Sequence, residues 1–487
     1  MAPKTVIAWT IAGSDSGGGA GVQADLLTFN ALGVHGCTAI TAVTAQNSVH
    51  VDAFEGVSHA LLQSQLNALW FDLPPKAIKT GMLPDVESVM ITARMIEKAQ
   101  VSYICDPVMV ATSGDVLMSD DVRHAMIQHL FPKVDLLTPN TSEASFLIGG
   151  PVNTPEEMRQ AATQICAMGC RAVLIKGGHM TSQMAQDFYA DGTQSFWIQS
   201  PRLSTTHTHG SGCTLSAAIT AACALGYPLP DAVVIGKAFV NQGLRLSRAT
   251  GAGHGCLAKP GWPSDAADAP WVTLEAEHDR ESFPPCGQLG FYPIVDRASW
   301  LKRLFSWGVK TAQIRIKDLK GEDLERELVA SIHLAKQAGA KLFINDYWRM
   351  AIEHDAYGVH LGQEDLDVAD LKAIQSAKLR LGISTHTPFE LARAQAHRPS
   401  YIAIGPVYET TLKKMPFAPH GSDGLRRWRN WVQGPVVAIA GITLERAPEV
   451  LRSGADSIAV VSAITQSPDP ERDAKRWLQL FEEVSAT

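Results

Sequence analysis

Short apolar runs, each closing on a polar or glycine-rich turn, recur along this 487-residue chain at two tempos, and no other feature restricts its fold as tightly. In the first half the runs are Thr5–Ala12, Ala77–Lys79, Tyr103–Cys105, Leu136–Leu137 and Ala172–Ile175. They end at Gly13, Thr80-Gly81, Asp106-Pro107, Thr138-Pro139-Asn140 and Lys176-Gly177-Gly178, with helix-like stretches between them. Short buried strands alternating with helices predict an α/β domain on a parallel sheet, and such sheets bind ligands at the strand C-termini. The second half runs faster: Gly290–Val295, Thr311–Ile314, Lys341–Ile344, Gly358–His360, Arg380–Gly382, Tyr401–Ile404, Val436–Ala440 and Ser457–Val460. Eight strands within about 200 residues is the count of a (β/α)8 TIM barrel. Polar residues follow nearly every one of them, so a catalytic rim is expected at the C-terminal end. Between Lys259 and Gly287 the rhythm fails and Pro260, Pro263, Pro270, Pro284 and Pro285 accumulate. The expected layout is a first domain over 1–262, a linker over 263–287 and a second domain over 288–487.

Composition narrows the function classes. Apolar residues make up 46% and charged residues 19%, as in a globular protein, and the net charge of −7 argues against a nucleic-acid partner. No apolar run is long enough to cross a bilayer, and the N-terminus lacks the pattern of a cleaved signal. The 8 cysteines follow no disulfide framework. Cys166 and Cys170 have no matching Cys/His pair, so no zinc site is expected. The expected setting is the cytoplasm and the expected partners are small molecules; self-association stays open.

Gly210-Ser211-Gly212-Cys213, followed by an Ala-rich apolar run, reads as a tight loop feeding a helix N-terminus. Converging backbone N–H groups and the helix dipole make such a loop an anion site suited to phosphoryl transfer, with Cys213 at its edge as base or proton relay. A glycine turn beside a buried cysteine fits the same residues. The glycine run Gly13–Gly21 lacks dinucleotide spacing. Together with Ile40–Asn47, Lys79–Leu83, Asp106–Met109, Thr138–Glu143, Lys176–His179 and the Gly210 loop, it resembles the ribokinase-like kinases, and among them the hydroxymethylpyrimidine and phosphomethylpyrimidine kinases. The resemblance implies a three-layer α/β fold and two ATP-dependent phosphorylations of an aminopyrimidine. It implies that Gly13, Asp25, Gln46, Met82 and Val108 line the pyrimidine pocket, with Asp25 near the hydroxymethyl group. Asp106, Asn140 and Glu143 would organise Mg²⁺, partly through water, and Lys176 would meet ATP phosphate. Gly210, Gly212 and Cys213 would form the anion hole and base, the thiol's pKa lowered by the helix N-terminus. Asn140 and Glu143 also read as a helix cap with its capping-box partner, and Asp25 as a solvated helix residue. The turn Gly251–Cys256 carries no assigned chemistry.

In the second half, Tyr292–Asp296, Gln313–Lys317, Phe343–Asp346, Gly358–Asp365, Leu381–His386 and Gly405–Tyr408 resemble thiamine phosphate synthase in order. That resemblance implies joining of a pyrimidine methylene diphosphate to a thiazole phosphate, with loss of Mg²⁺-pyrophosphate. Arg315 and Lys317 would face the diphosphate, Asp346 and Asp365 would hold Mg²⁺, and Gln313 and Asn345 would contact the pyrimidine and its diphosphate. Ser384 and Lys413 would approach the leaving pyrophosphate. Thr410, Thr411, Leu412, Gly441, Val461 and Ser462 would take the thiazole phosphate. Two departures stand out: Leu412 replaces a hydroxyl residue of the family loop, and Ala440 replaces a glycine. A second unit that only binds ligand, its turnover lost through those changes, is the alternative.

Overall fold

The computed structural model describes residues 5–109, 118–178, 180, 182–276, 281–410 and 417–485. The chain divides into two compact units, residues 1–278 and 279–487.

Unit 1 contributes β1 Ile7–Ala12, β2 His35–Ile40, β3 Ala42–Gln46, β4 Val51–Gly56, β5 Ala77–Thr80, β6 Ser102–Cys105, β7 Leu136–Leu137, β8 Val173–Lys176, β9 Met184–Ala190, β10 Ser195–Pro201 and β11 Trp271–Thr273. Nine of these form one sheet in the order β11-β10-β9-β8-β7-β6-β5-β1-β2, and β3 and β4 form a separate antiparallel pair. The stretch from β8 to β2 is parallel, while β9, β10 and β11 extend it antiparallel. The central strands are apolar on both faces because helices cover both, which is the demand of a parallel sheet. One core packs Trp9, Ile78, Tyr103 and Leu137 against helices on one side. A second packs Ala8, Phe29, Ala217 and Ala221 on the other. The alanine-rich helix Ser211–Ala224 lies close on the sheet because its small side chains permit it.

Unit 2 is a closed barrel of eight parallel strands: β12 Gly290–Val295, β13 Thr311–Ile314, β14 Lys341–Asn345, β15 Gly358–Leu361, β16 Arg380–Thr385, β17 Tyr401–Ile404, β18 Val436–Ile439 and β19 Ser457–Val460. β19 closes onto β12 in register Gly290↔Ser457. The expected barrel is met strand for strand.

The expected linker is not. Trp271–Thr273 pairs with β10 as the edge strand of unit 1, and Asp268 is fully buried against the Arg245 guanidinium at 2.7 Å. On the other side, Phe283 N–H donates to Arg398 O and Ser400 Oγ donates to Pro284 O, so residues from 283 onward belong to the barrel. Prolines break helix and ladder continuity but do not stop the residues between them from filling a core or pairing at a sheet edge, where a missing N–H is tolerated.

Candidate functional site

In unit 1 the residues that follow β1, β5, β6, β7 and β8 surround a cavity of about 1200 Å³. Gly13, Gln46, Met82, Val108, Asp106, Asn140, Glu143, Lys176, Gly210, Gly212 and Cys213 all line it, so eleven of the twelve expected kinase residues converge. Gly210 adopts φ +77, and a Cβ there would stand 1.9 Å from Gly19 O. Only glycine allows the anion loop to lie this close on the glycine run.

Asp25 is the exception. It is fully buried, accepts from Thr10 Oγ1 at 2.6 Å and receives the Lys79 ammonium at 2.8 and 2.9 Å on its two oxygens. Helix Gly21–Ala31 packs that face onto the sheet, so the carboxylate points into the protein and not into the cavity, against expectation. Burial works against the Lys79 ammonium, but Asp25, then Cys213 and Asp106, outweigh it and raise its pKa. Lys79 itself lines the cavity. No local pattern marks this partner, because a lysine inside a strand is legible as a site residue only when its buried counter-charge is known.

Cys213 also departs from expectation. Burial pushes its thiol up to about 11; Lys79 opposes the rise, and Asp25 and Asp106 add to it. The helix N-terminus does not win, since loss of hydration and two nearby carboxylates cost the thiolate more than a partial positive charge returns.

Asp106 receives Lys176 Nζ at 3.1 Å and Thr138 Oγ1 at 3.3 Å on one oxygen, and Ser216 Oγ at 3.3 Å on the other. Asn140 and Glu143 do form a capping box: Asn140 Oδ1 accepts from Glu143 N at 2.8 Å and Glu143 accepts from Asn140 N at 2.7 Å. The cap faces the cavity, so both readings of the pair hold at once. Burial raises the Glu143 pKa, with Lys176 opposing and Asp106 adding. Carboxylate oxygens on two sides of one ammonium fit Mg²⁺, which takes one or two carboxylates and completes its shell with water and phosphate.

A staple unforeseen from sequence joins the two glycine loops. Asp15 accepts from the N–H groups of Gly17, Gly19 and Ala20, and His209 Nε2 lies 3.1 Å from it. Burial works against the Asp15 charge, but His209 and the amides of Ala20 and Gly17 outweigh it and hold its pKa below the usual range. The turn without assigned chemistry supports the same loop: His209 N–H donates to Gly255 O and Gly255 N–H to His207 Nδ1.

In unit 2 the expected residues that are described gather at the C-terminal rim. Arg315 and Lys317 follow β13 on its exposed side, with Ile316 buried between them. Among the described residues Arg315 has no ion-pair partner, while Lys317 pairs with Asp346. Asp346 holds φ +66, a left-handed conformation that few residues other than glycine adopt, at the end of β14. Burial and then the Asp346 charge raise the Asp365 pKa, and Gly362 N–H opposes them. Two oxygen-donor groups that repel each other beside a lysine fit a divalent cation. Gln313 and Asn345 are buried at the inner wall, and Ser384 lies half-buried at the end of β16. Gly441 follows β18 after Ala440, which keeps φ +79 without being glycine. Val461 and Ser462 open the turn after β19, and Thr410 follows β17. Thr411, Leu412 and Lys413 lie outside the described residues.

His360, Tyr292 and Tyr401 carried no expected role, yet they connect Gln313 to Ser384. Gln313 Nε2 lies 3.3 Å from Tyr292 Oη, which lies 2.9 Å from Tyr401 Oη. Tyr401 Oη reaches His360 Nδ1 at 2.7 Å, and His360 Nε2 reaches Ser384 Oγ at 2.7 Å. Burial holds His360 down to about 4, with Asp346 opposing and Arg315 adding. Hydrophobic periodicity hides all three, because each occupies an inward strand position that a leucine would fill equally well.

Fold and sites define a class: a phosphate-handling enzyme with a small-molecule kinase in one unit and a barrel transferase in the other. The family described as phosphomethylpyrimidine kinase matches residues 15–258, and that described as thiamine monophosphate synthase matches residues 291–464. A probable thiamine biosynthetic bifunctional enzyme, chloroplastic, of Oryza sativa subsp. japonica is 33% identical over 98% of this chain and 89% of its own. A thiamine-phosphate synthase of Enterobacter sp. (strain 638) is 54% identical over 41% of this chain and 95% of its own. A Staphylococcus aureus pyridoxal kinase solved with AMP-PCP covers 55% of this chain and 98% of its own, at 32% identity and a TM-score of 0.51. The chain belongs to the bifunctional thiamine-biosynthesis enzymes, uniting a phosphomethylpyrimidine kinase with a thiamine monophosphate synthase.

Proposed function

We propose that unit 1 transfers the γ-phosphoryl group of ATP to the hydroxyl of 4-amino-5-hydroxymethyl-2-methylpyrimidine and then to the resulting monophosphate. The observation that carries this is the convergence of the Gly210 loop, Cys213 and the Lys176–Asp106 pair on one cavity at the strand C-termini. The substrate oxygen attacks phosphorus, its proton passes to the thiolate form of Cys213, a small fraction at neutral pH because burial pushes the thiol up to about 11, and ADP leaves with the electron pair of the broken P–O bond. The amides of Gly210 and Gly212 neutralise the equatorial oxygens, and Lys176 neutralises the leaving ADP. Gln46 presents an amide edge to the aminopyrimidine, Gly13, Met82 and Val108 pack around the ring, and Lys79 adds positive charge beneath the reacting group. Asp106, Asn140 and Glu143 would hold Mg²⁺, which supplies charge neutralisation on the phosphates.

In unit 2 the pyrimidine C–O bond to the diphosphate breaks, pyrophosphate leaves with the electron pair, and the thiazole nitrogen donates its lone pair to the methylene carbon. Arg315 and Lys317 stabilise the departing charge, Gln313 and Asn345 hold the pyrimidine and its diphosphate, and Ser384 with Lys413 meets the leaving group. Asp346 and Asp365 would hold Mg²⁺, which supplies further neutralisation there. Thr410, Thr411, Leu412, Gly441, Val461 and Ser462 take the thiazole phosphate. Eight free cysteines support a reducing compartment such as the cytoplasm.

The test supplies purified protein with pyrimidine diphosphate, thiazole phosphate and Mg²⁺ but no ATP. Thiamine phosphate and pyrophosphate are expected in equal amounts; binding without turnover would reduce unit 2 to a ligand-binding module. Hydroxymethylpyrimidine with ATP is expected to yield mono- and then diphosphate.

A further inference from the structure

We propose that Tyr292, Tyr401 and His360 form a one-way hydrogen-bond chain through the barrel that fixes the Ser384 hydroxyl as a donor toward the leaving diphosphate. The inference rests on the synthase reading of the rim and deepens it. Tyr292, Tyr401, Gln313 and His360 are all buried, so water is not at hand to reverse the links among these four.

The direction follows from counting protons. An amide nitrogen only donates, so Gln313 Nε2–H gives its proton to Tyr292 Oη. The Tyr292 proton then goes to Tyr401 Oη, and the Tyr401 proton goes to His360 Nδ1. With Nδ1 accepting, the imidazole carries its proton on Nε2 and donates it to Ser384 Oγ. The hydroxyl proton of Ser384 is left for a ligand. With Gln313 turned so that Nε2 and not Oε1 faces Tyr292, a chain run the other way, or with both imidazole nitrogens protonated, strands the Tyr292 proton in the core without an acceptor, which is strongly disfavoured.

The chain is built into the strands. A Cβ at Gly382 would stand 2.1 Å from Tyr401 Cζ, so the missing side chain on β16 is what lets the Tyr401 ring lie across the barrel. Phe343 meets that ring edge-on at 5.1 Å and Tyr292 edge-on at 6.0 Å, while His360 stacks on it at 5.7 Å. The consequence for chemistry is a matter of sign. Diphosphate oxygens only accept hydrogen bonds. A serine whose proton points outward stabilises the charge they gain as the C–O bond breaks, and one whose proton points at histidine presents a lone pair to it. Tyr292, Tyr401 and His360 are positioning residues that act through Ser384.

The experiment is ¹⁵N NMR of the full-length protein labelled at histidine, with the His360 signals identified by their loss in His360→Gln. Neutral imidazole protonated at Nε2 is expected; protonation at Nδ1 overturns the proposal. Kinetics give a second arm. Tyr401→Phe is expected to lower kcat of the condensation tenfold or more with KM for thiazole phosphate unchanged. It should cause no further loss in the Ser384→Ala background. Additive losses would overturn the proposal, and if Tyr401→Phe does not fold, the wild-type NMR measurement decides. Ser384→Ala at wild-type rate would instead remove the reading of the rim on which the chain rests.

Discussion

At the scale of single residues, the chemistry turns on groups whose surroundings reverse the behaviour their position suggests. The Cys213 thiol, held near 11 chiefly by burial, is protonated at neutral pH in the unliganded kinase. The kinase kcat/KM is therefore expected to climb as pH rises from about 7 toward 10, because the thiolate fraction grows below the group's pKa. pH–rate profiles of wild type and Cys213→Ala check this: the variant should lose the alkaline rise and turn over roughly 10²-fold more slowly, the scale of a lost general base. Ala440 makes a different case. At φ +79 it carries left-handed strain of roughly 1–2 kcal/mol. Ala440→Gly removes the strain but adds freedom to the unfolded chain, so a net gain of under ~1 kcal/mol is expected in denaturant titrations. The sequence identified Ala440 as a departure from its family; that the position lies in the left-handed region became visible only from the backbone.

Single strands and helices are where buried charge fastens this fold. Lys79 on β5 and Asp25 on helix Gly21–Ala31 form a fully buried pair between sheet and helix. Lys79→Met leaves a carboxylate without its partner, a change that costs about 3–5 kcal/mol. The double variant Lys79→Met with Asp25→Leu is expected to recover most of that loss in chemical denaturation, because two apolar groups of similar volume remove the uncompensated charge. Asp15 and His209 act similarly between two loops. The Asp15 pKa is lowered on folding, so the unfolded chain takes up that proton first as pH falls. The staple's contribution is present above the ordinary carboxylate pKa of about 4 and is lost as pH falls below it. Acid titration of unit 1 stability in wild type and Asp15→Asn measures it, and the variant should show the shallower slope. These pairs explain why the elements were legible while their interior partners were not. Apolar runs and turn residues report local backbone preference, whereas the partner of Lys79 lies 54 residues away and that of Asp15 lies 194 away.

For the whole molecule, two sites on two units imply separable losses. Cys213→Ala is expected to abolish most pyrimidine phosphorylation while synthesis from supplied diphosphate continues unchanged. Asp346→Asn should do the opposite, letting diphosphate accumulate; chromatography of the reaction products distinguishes the two. The sequence by itself determined both architectures, since alternating apolar runs admit only a sheet with crossover helices and eight of them close a barrel. It also pointed the kinase residues to one cavity and the synthase residues to one rim, because strand C-termini place whatever follows them at the same edge; eleven of the twelve kinase residues and the described synthase residues lie there. Only the tertiary structure decided that Asp25 faces Lys79 instead of substrate, that Cys213 is a high-pKa thiol, that the proline-rich stretch is largely folded into its neighbours, and that two tyrosines and a histidine run between Gln313 and Ser384. Each of these depends on which distant groups exclude water and supply countercharge, and desolvation is a property of the packed protein that no local run of residues carries.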